Sequence, residues 1–582
     1  MVGASSAVGA TPPDRSDAVP VAPRSLARNS TAVFLAGLAV QLVGFVASLF
    51  LAKLIGLTES GRALLGTVQL FLLIGSSINA TADLRIGSAY TFFLARGTSP
   101  LAQTATYLVL RFVMVGAGAV LLFVIAPAQI FGAGPLASGA NLAILGGFLV
   151  LPLLWTFPTV YNQFYISQGD SLKAQYPTLI EASVRTPLLI AAAFYVPTLE
   201  GLTLAYVVGA TVSAVYSAPA VLARVEKFRR DQGALMFRFA WPLMGGLALT
   251  YVVTNALPFL VNAAAGAAQL AVYNAANGFR ILALSVSSAI ITPLFPLLSG
   301  LHQRREYNRV RELTWQTIRY SSIVVVPGMI ALVVYRVNFL YIFYNGGYVG
   351  GATPLAILAV SVLPATLAVI IFTALIAVGY RRLELYITAA QVVAMFGTAY
   401  LLLPPVSLLP AGLALDSIAL AQLASSLVAL AINLYYLERI LAVQIRLRSI
   451  GSIVLSAAVA FFAVSRLNVI LPVNRYYQLF AGVVLGYAVY FVVLAAIGEL
   501  SRSDVESVGR SVGVPWRIRR ILARVCWRTD PSIVVVPLEA ERLPRLRQTE
   551  LPDVFSGVRE LPTLAPLSSE PGEMRERPRA PP

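Results

Sequence analysis

Cysteine and histidine are all but missing: Cys526 and His302 are the sole examples in 582 residues. A single cysteine excludes a disulfide within the chain, and the pair excludes a Cys/His metal cluster. No metal or cofactor is expected. Charge is scarce as well, at 12% of residues against 58% hydrophobic. A soluble protein of this length could not hide so much apolar surface. The chain therefore reads as an all-α polytopic membrane protein. Acids are scarcer than bases, 26 Asp+Glu against 43 Lys+Arg, for a net charge of +17. In a soluble protein this would suggest nucleic acid. Here the bases fall in loops, and no nucleic-acid partner is expected. Catalytic signatures are missing too. There is no GxxxxGK[ST] for direct ATP coupling, no HExxH and no aspartate-rich motif. Loops before residue 499 are too short to hold an extramembrane catalytic domain. The chain is not expected to be an enzyme. Residues 1–23 lack an apolar run, so they read as a disordered cytoplasmic tail rather than a cleaved signal.

What is present is a series of apolar runs. A spanning helix takes roughly 20 mostly apolar residues. Fourteen runs qualify, near 31–52, 63–93, 104–126, 141–163, 176–196, 202–223, 239–260, 270–297, 317–338, 352–378, 384–403, 411–436, 450–470 and 477–498. The second is interrupted by NATADLRIG. Orientation follows from lysine and arginine in the short loops. With the N-terminus cytoplasmic, the outer side holds only Lys53, Arg62, Arg336, Arg466 and Arg475 before residue 499; every other loop base faces the cytoplasm. An even number of spans puts both termini there, in a cell (plasma or inner) membrane.

The chain also repeats. At an offset of 210 residues, Arg28 matches Arg238, Gly56 matches Gly266, Gly169 matches Gly379 and Tyr176 matches Tyr386. The alternative is coincidence among common residues. The matches fall at equivalent topological points, which suggests two six-helix bundles in parallel repeat. The expected division is an N-tail at 1–23, bundles at 24–230 and 231–440, two additional helices at 441–498 and a cytoplasmic tail at 499–582. Within the tail, PWRIRRILARVCWR at 515–528 suits a basic amphipathic helix on an anionic membrane surface. The Pro-, Glu- and Arg-rich remainder is expected to be disordered.

The spans carry a few polar residues. On the seventh run, near 239–260, and just past its end, Tyr251, Asn255, Pro258 and Asn262 share one face. On 270–297, Tyr273, Asn274, Asn277 and Arg280 share an arc. On 31–52, Gly37, Gln41, Gly44 and Ser48 show the same 4-3-4 spacing. Helix packing explains the small residues and the serines. For Asn255, Asn274, Asn277 and Asn262, packing and the lining of a cavity both stand. Arg280 lies about ten residues into its run, or about 15 Å of rise, too deep to snorkel easily. A hydrated cavity or bound anion is one reading, and a salt bridge to an acid is the other. The repeat puts Leu70 at the matching position, so an anion site would be asymmetric. Arg111 is shallow enough to reach the cytoplasmic interface, and is a further substrate-binding candidate. Glu181 and Arg185 have the i, i+4 spacing of an ion pair. Asp83 and Glu181 are the ion-coupling candidates. Asp416 lies near the outer end of its run.

Several stretches resemble the polysaccharide-exporter, or oligosaccharide flippase, family of the multidrug/oligosaccharidyl-lipid/polysaccharide superfamily. They are ARNSTAVFLAGLAVQLVGFVASLFLAKLIGLTESG at 27–61, DLRIGSAYTFFLAR at 83–96, RFAWPLMGG at 238–246, AAGAAQLAVYNAANGFRILAL followed by PLFPLLSGL, and the links QGDSLKAQY and VGYRRLELY. Arg85 stands where the resemblance leads one to expect a glycine. The likeness covers about residues 24–500. It implies two bundles forming a V, a cationic central cavity and alternating access. The implied substrate is a polyprenyl-(pyro)phosphate-linked oligosaccharide, exported for cell-surface polysaccharide biosynthesis. Arginine's fork suits a phosphate, and amide side chains suit sugar hydroxyls. Implied partners are membrane lipids and glycan polymerase or glycosyltransferase components. A cation-coupled drug or metabolite antiporter of the same superfamily and a non-transporting scaffold of a glycan-assembly complex are the alternatives.

Overall fold

Apolar runs in a bilayer have no water to satisfy their backbone, so they close their hydrogen bonds internally as helices. A computed structural model of the chain describes residues 23–500, except 84, 96–99, 131–146, 148, 169, 227, 292–293, 381–382, 404–413, 444–445 and 471–474. Among the described residues there is no strand. The expected N-tail, all but its last residue, lies outside them, as do Gly169 and the tail beyond residue 500 with its 515–528 stretch.

The first part of the chain comprises α1 (Pro23–Leu54), α2 (Glu59–Asp83), α3 (Ile86–Ala95), α4 (Pro100–Ile130), α5 (Thr156–Ser167), the single turn α6 (Ser171–Ala174), α7 (Tyr176–Tyr195) and α8 (Leu199–Leu222). The second part opens with α9 (Arg230–Ile291), which the left-handed backbone of Gly266, at φ 83°, divides into two arms. It continues through α10 (Leu294–Gln303), α11 (Tyr307–Val334), α12 (Arg336–Phe339), a π-turn (Leu340–Tyr344) and a 3-10 turn (Gly346–Gly351). Then come α13 (Ala352–Ala377), α14 (Leu383–Leu402) and α15 (Ala414–Tyr436). The last two helices are α16 (Leu447–Ile470) and α17 (Arg475–Ala496).

Ten described stretches are long and apolar enough to cross a membrane. One of them, Met244–Ser285, contains the Gly266 turn and so covers two of the fourteen expected runs. Helices also occupy the expected third, fourth and fifth runs, as α4, α5 and α7, but these are not among the ten. The chain is a multi-pass, all-helical membrane protein.

The expected second run is interrupted where NATADLRIG stands. There α2 ends at Asp83 and α3 begins at Ile86. Between them Arg85 takes φ 65°, the left-handed region that glycine favours. The backbone thus has the shape a glycine would give at this position, although the residue is arginine.

Packing concentrates on the seam between α2 and both arms of α9. Gly66 meets the Ala267 carbonyl so closely that a Cβ at 66 would overlap it. Small residues allow this approach, and van der Waals contact then replaces lipid. One apolar core runs through the seam, with Phe71, Ile74 and Ile78 of α2, Leu257, Val261 and Leu270 of α9, and Leu355 and Leu358 of α13. A second core packs α10, α13 and α15 through Leu298, Ile371 and Ala429. A third joins α3, α4 and α5 to the start of α9 through Tyr90, Tyr107, Val160 and Met236. Helices α16 and α17 pack on α11 through Ile323, Val326, Tyr490 and Leu494.

Candidate functional site

Arg280 sits on the second arm of α9, fourteen residues past Gly266. That is about 21 Å of helical rise, well inside a hydrocarbon core of about 30 Å. Its Nε donates to Ser361 Oγ of α13 at 3.1 Å. Its Nη1 donates to Asn277 Oδ1, one turn back, at 3.4 Å. Ser361 spends its own hydrogen on the Leu358 carbonyl at 2.6 Å, which leaves its oxygen free to accept. Two of the five guanidinium N–H groups are therefore used. Among the described residues no carboxylate lies within 4.0 Å of Arg280. The salt-bridge reading of this residue is not what the structure shows.

The other candidates are spread along the seam. Asn274 Nδ2 donates to Gln69 Oε1 of α2 at 2.7 Å. On the first arm, the Tyr251 hydroxyl is 2.8 Å from Ser77 Oγ and 3.4 Å from Ser76 Oγ. Asn255 Nδ2 donates to the Tyr251 carbonyl of its own helix at 3.2 Å. Asn262 is half-buried. The two polar stripes thus clasp α2 from both arms. Of the six residues put forward for substrate, Arg280 and Asn277 bond to each other, and the others bond elsewhere or not at all among the described residues.

Arg111 behaves differently from the sequence reading. Instead of reaching toward an aqueous interface, its side chain is wholly buried. Nη1 donates to Asp83 Oδ1 at 3.0 Å, and Nη2 donates to Asn79 Oδ1 and to Thr159 Oγ1, the latter at 3.2 Å. The Tyr107 hydroxyl donates to the same Asp83 oxygen at 2.6 Å. This network ties α2, α4 and α5 together beside the α2–α3 break. Glu181 also meets an arginine. It accepts from Arg185 Nη1 at 2.9 Å and from Trp155 Nε1 at 3.2 Å. Arg185 lies 5.2 Å from the centre of the Tyr206 ring. The i, i+4 pair expected from spacing is present, and both ion-coupling candidates carry a matching cation.

Sequence reasoning did not find Ser361, Gln69 or Glu384. The last accepts from Arg85 Nη2 at 3.3 Å and joins the α2–α3 break to the first turn of α14. Gln69 is a polar residue within an apolar run, which was a usable signal. Ser361 gave none, because serines recur on these helices. Among the described residues no group of three His, Cys, Asp or Glu side chains could hold a metal.

Residues 98–350 match the family described as polysaccharide biosynthesis protein. No curated protein matches the chain. Solved structures match in fold. The lipid II flippase MurJ in an inward closed conformation gives a TM-score of 0.67 at 10% identity, covering 82% of this chain and 99% of that one. An inward-facing multidrug resistance MATE family transporter of the MOP superfamily gives 0.57 at 14% identity, covering 69% and 94%. A MOP superfamily transporter from Pyrococcus furiosus, whose binding pocket has a reverse polarity said to suggest a different function, gives 0.54 at 16% identity, covering 72% and 96%. Residues 98–350 therefore carry the pattern of the polysaccharide biosynthesis proteins, and most of the chain has a fold similar to that of the MurJ lipid II flippase and the MATE transporter.

Proposed function

We propose that the chain moves a polyprenyl-(pyro)phosphate-linked oligosaccharide across the membrane by alternating access between bundles at 24–230 and 231–440. The observation that carries this reading is Arg280. It is a deep cation with no carboxylate near it among the described residues, held in place by neutral partners at Ser361 and Asn277. Neutral partners fix its position without cancelling its charge, so an anionic headgroup can supply the missing counter-charge. Three N–H donors remain for phosphate oxygens, a geometry that arginine serves through its fork. Asn277 and Asn274 offer amides to sugar hydroxyls once the seam parts. Both termini lie in the cytoplasm on this reading, and residues 441–498 accompany the second bundle.

The MATE likeness keeps a drug or metabolite antiporter in view as the second reading. An organic cation would need an unmatched acid at membrane depth. Asp83 faces Arg111 and Glu181 faces Arg185, so neither offers one in this conformation.

The test is reconstitution into liposomes with a labelled undecaprenyl-pyrophosphate oligosaccharide, with and without ion gradients. Arg280→Ala is expected to lower transport about 10- to 100-fold, the loss of a charge-assisted hydrogen bond. Arg280→Lys should retain part of the rate, and Arg280→Glu should abolish it. Full transport by correctly folded Arg280→Ala would remove the residue from the substrate path. Failure to move any lipid-linked glycan, with uptake of an organic cation instead, would favour the second reading.

A further inference from the structure

Arg62 is a second cation on the same seam, away from the Arg280 site. It stands near the start of α2, just past the corner that joins α1 to α2. Among the described residues its Nη1 donates to the carbonyls of Gly56 at 3.5 Å and Leu57 at 3.4 Å. Both are long bonds to neutral acceptors, as is the 3.4 Å bond from Arg280 to Asn277. Among the described residues no carboxylate comes within 4.0 Å of it. Glu59, one turn away on the same helix, is exposed.

A distant part of the chain covers this corner. The irregular stretch between α11 and α13 brings Asn345 Nδ2 to the Ala52 carbonyl at 2.8 Å, near the end of α1. The Tyr344 hydroxyl lies 3.4 Å from Ser48 Oγ, and its ring meets Phe45 edge-on at 6.3 Å. Gly347 lies directly against the Arg62 guanidinium, where a Cβ would collide with it. Gly56 stands in the same relation to the Tyr348 hydroxyl.

Arg62 and Arg280 lie on the two helices of this one seam, α2 and the second arm of α9. Gly66 meets Ala267 and Gln69 meets Asn274, so α2 and the second arm of α9 run in the same sense. From the Gln69–Asn274 level, α2 goes back seven residues to Arg62 and α9 goes on six residues to Arg280. At 1.5 Å per residue the two cations stand about 20 Å apart along the seam.

We infer that Arg62 is a second anion-binding site, for the phosphate of a lipid-linked headgroup, covered here by the Tyr344–Tyr348 corner and uncovered when that end opens. The inference rests on the reading that Arg280 receives such a headgroup. A phosphate leaving Arg280 toward this end meets Arg62 as its next cation. The carbonyls that now hold the guanidinium bring no charge, so a phosphate displaces them at little cost. The competing role is structural. Carbonyls at the end of α1 favour a positive group, and Arg62 could simply cap that helix. Glutamine separates the two roles, because it can donate to the same carbonyls but carries no charge.

The test uses the full-length protein in nanodiscs with undecaprenyl pyrophosphate as the probe, binding being read by titration. Asn345→Ala removes the bond to the Ala52 carbonyl and loosens the corner. In that background Arg62→Gln is expected to weaken binding about tenfold, while Arg62→Lys restores most of it. With Asn345 in place, the same Arg62→Gln change should alter binding less than about twofold, since a covered site contributes little. Unchanged binding after Arg62→Gln in the loosened background overturns the second site and leaves capping. A loss that follows a fall in unfolding temperature, and that Arg62→Lys does not rescue, also overturns it. If the protein with Arg62 and Arg280 intact does not bind the probe, the headgroup reading of Arg280 fails and the inference falls with it.

Discussion

Arg111 and Arg280 are both arginines at membrane depth, yet they keep different company. Arg111 faces an acid, an asparagine and a threonine, and its charge is matched. Arg280 faces a serine and an asparagine, and its charge is not. Removing one partner of a buried pair leaves the other charge stranded, at a cost of about 3–5 kcal/mol. Asp83→Asn is therefore expected to lower the unfolding midpoint in detergent sharply. Asp83→Asn combined with Arg111→Met should recover part of the loss, because neither charge is then left alone. An additive double mutant would show that the two residues do not act as a pair. The sequence exposed both arginines as charges inside apolar runs and separated them by depth, but it could not show which of them is matched. What distinguishes them is the partner, and Arg111 finds Asp83 only because α4 packs against α2. Ser361 is likewise invisible as a partner, since it lies on a different helix and resembles every other small residue there.

Elements were more legible than contacts. The gap expected between the runs 239–260 and 270–297, where Gly266 stands, and the break expected near Asp83 both appear, because glycine and a polar interruption act locally. The corner between α11 and α13 was not legible, because its meaning comes from the distant loop it touches. The break also carries a consequence for motion. Arg85 holds a left-handed backbone, which costs a non-glycine residue about 1–2 kcal/mol. Its ion pair with Glu384 is partly exposed, with side chains 36% and 28% accessible, so it contributes about 1 kcal/mol or less. The two effects oppose each other. Arg85→Gly should thus leave stability within about 1 kcal/mol of the parent while unfastening α14 from the break. A cysteine placed at Gly246, beside Glu384, reads the difference in a chain with Cys526→Ser. Maleimide labelling there should speed up after Arg85→Gly and after Glu384→Gln. The charge exchange Arg85→Glu with Glu384→Arg should return it toward the parent rate. Equal labelling in every variant would show that the pair does not govern access at this end.

At the scale of the whole molecule, the last two helices are fastened to the rest by more than apolar contact. Arg319 of α11 donates through Nε to Glu499 Oε1 at 2.7 Å, and also to the Glu499 carbonyl. Ser449, at the start of α16, donates to the same carboxylate. One residue just past the end of α17 therefore joins α11, α16 and α17. Leu500 adds apolar contact to the core those helices share. Where a truncation is placed then decides its result. Cutting after Leu500 removes the tail and keeps the staple, so a transporting core should retain its rate and its unfolding midpoint. Cutting after Gly498 removes two more residues and leaves Arg319 without its carboxylate. The side chains of Arg319 and Glu499 are only 17% and 11% exposed, so this loss should cost about 1.5–3 kcal/mol. The shorter chain should therefore unfold several degrees lower. Glu499→Gln in the full-length chain should reproduce most of that fall. If both truncations abolish transport while the longer chain stays folded, the tail beyond residue 500 belongs to the transport machinery. If the longer truncation transports normally, the core of α1–α17 suffices, and the basic tail is left to act at the membrane surface or on a partner.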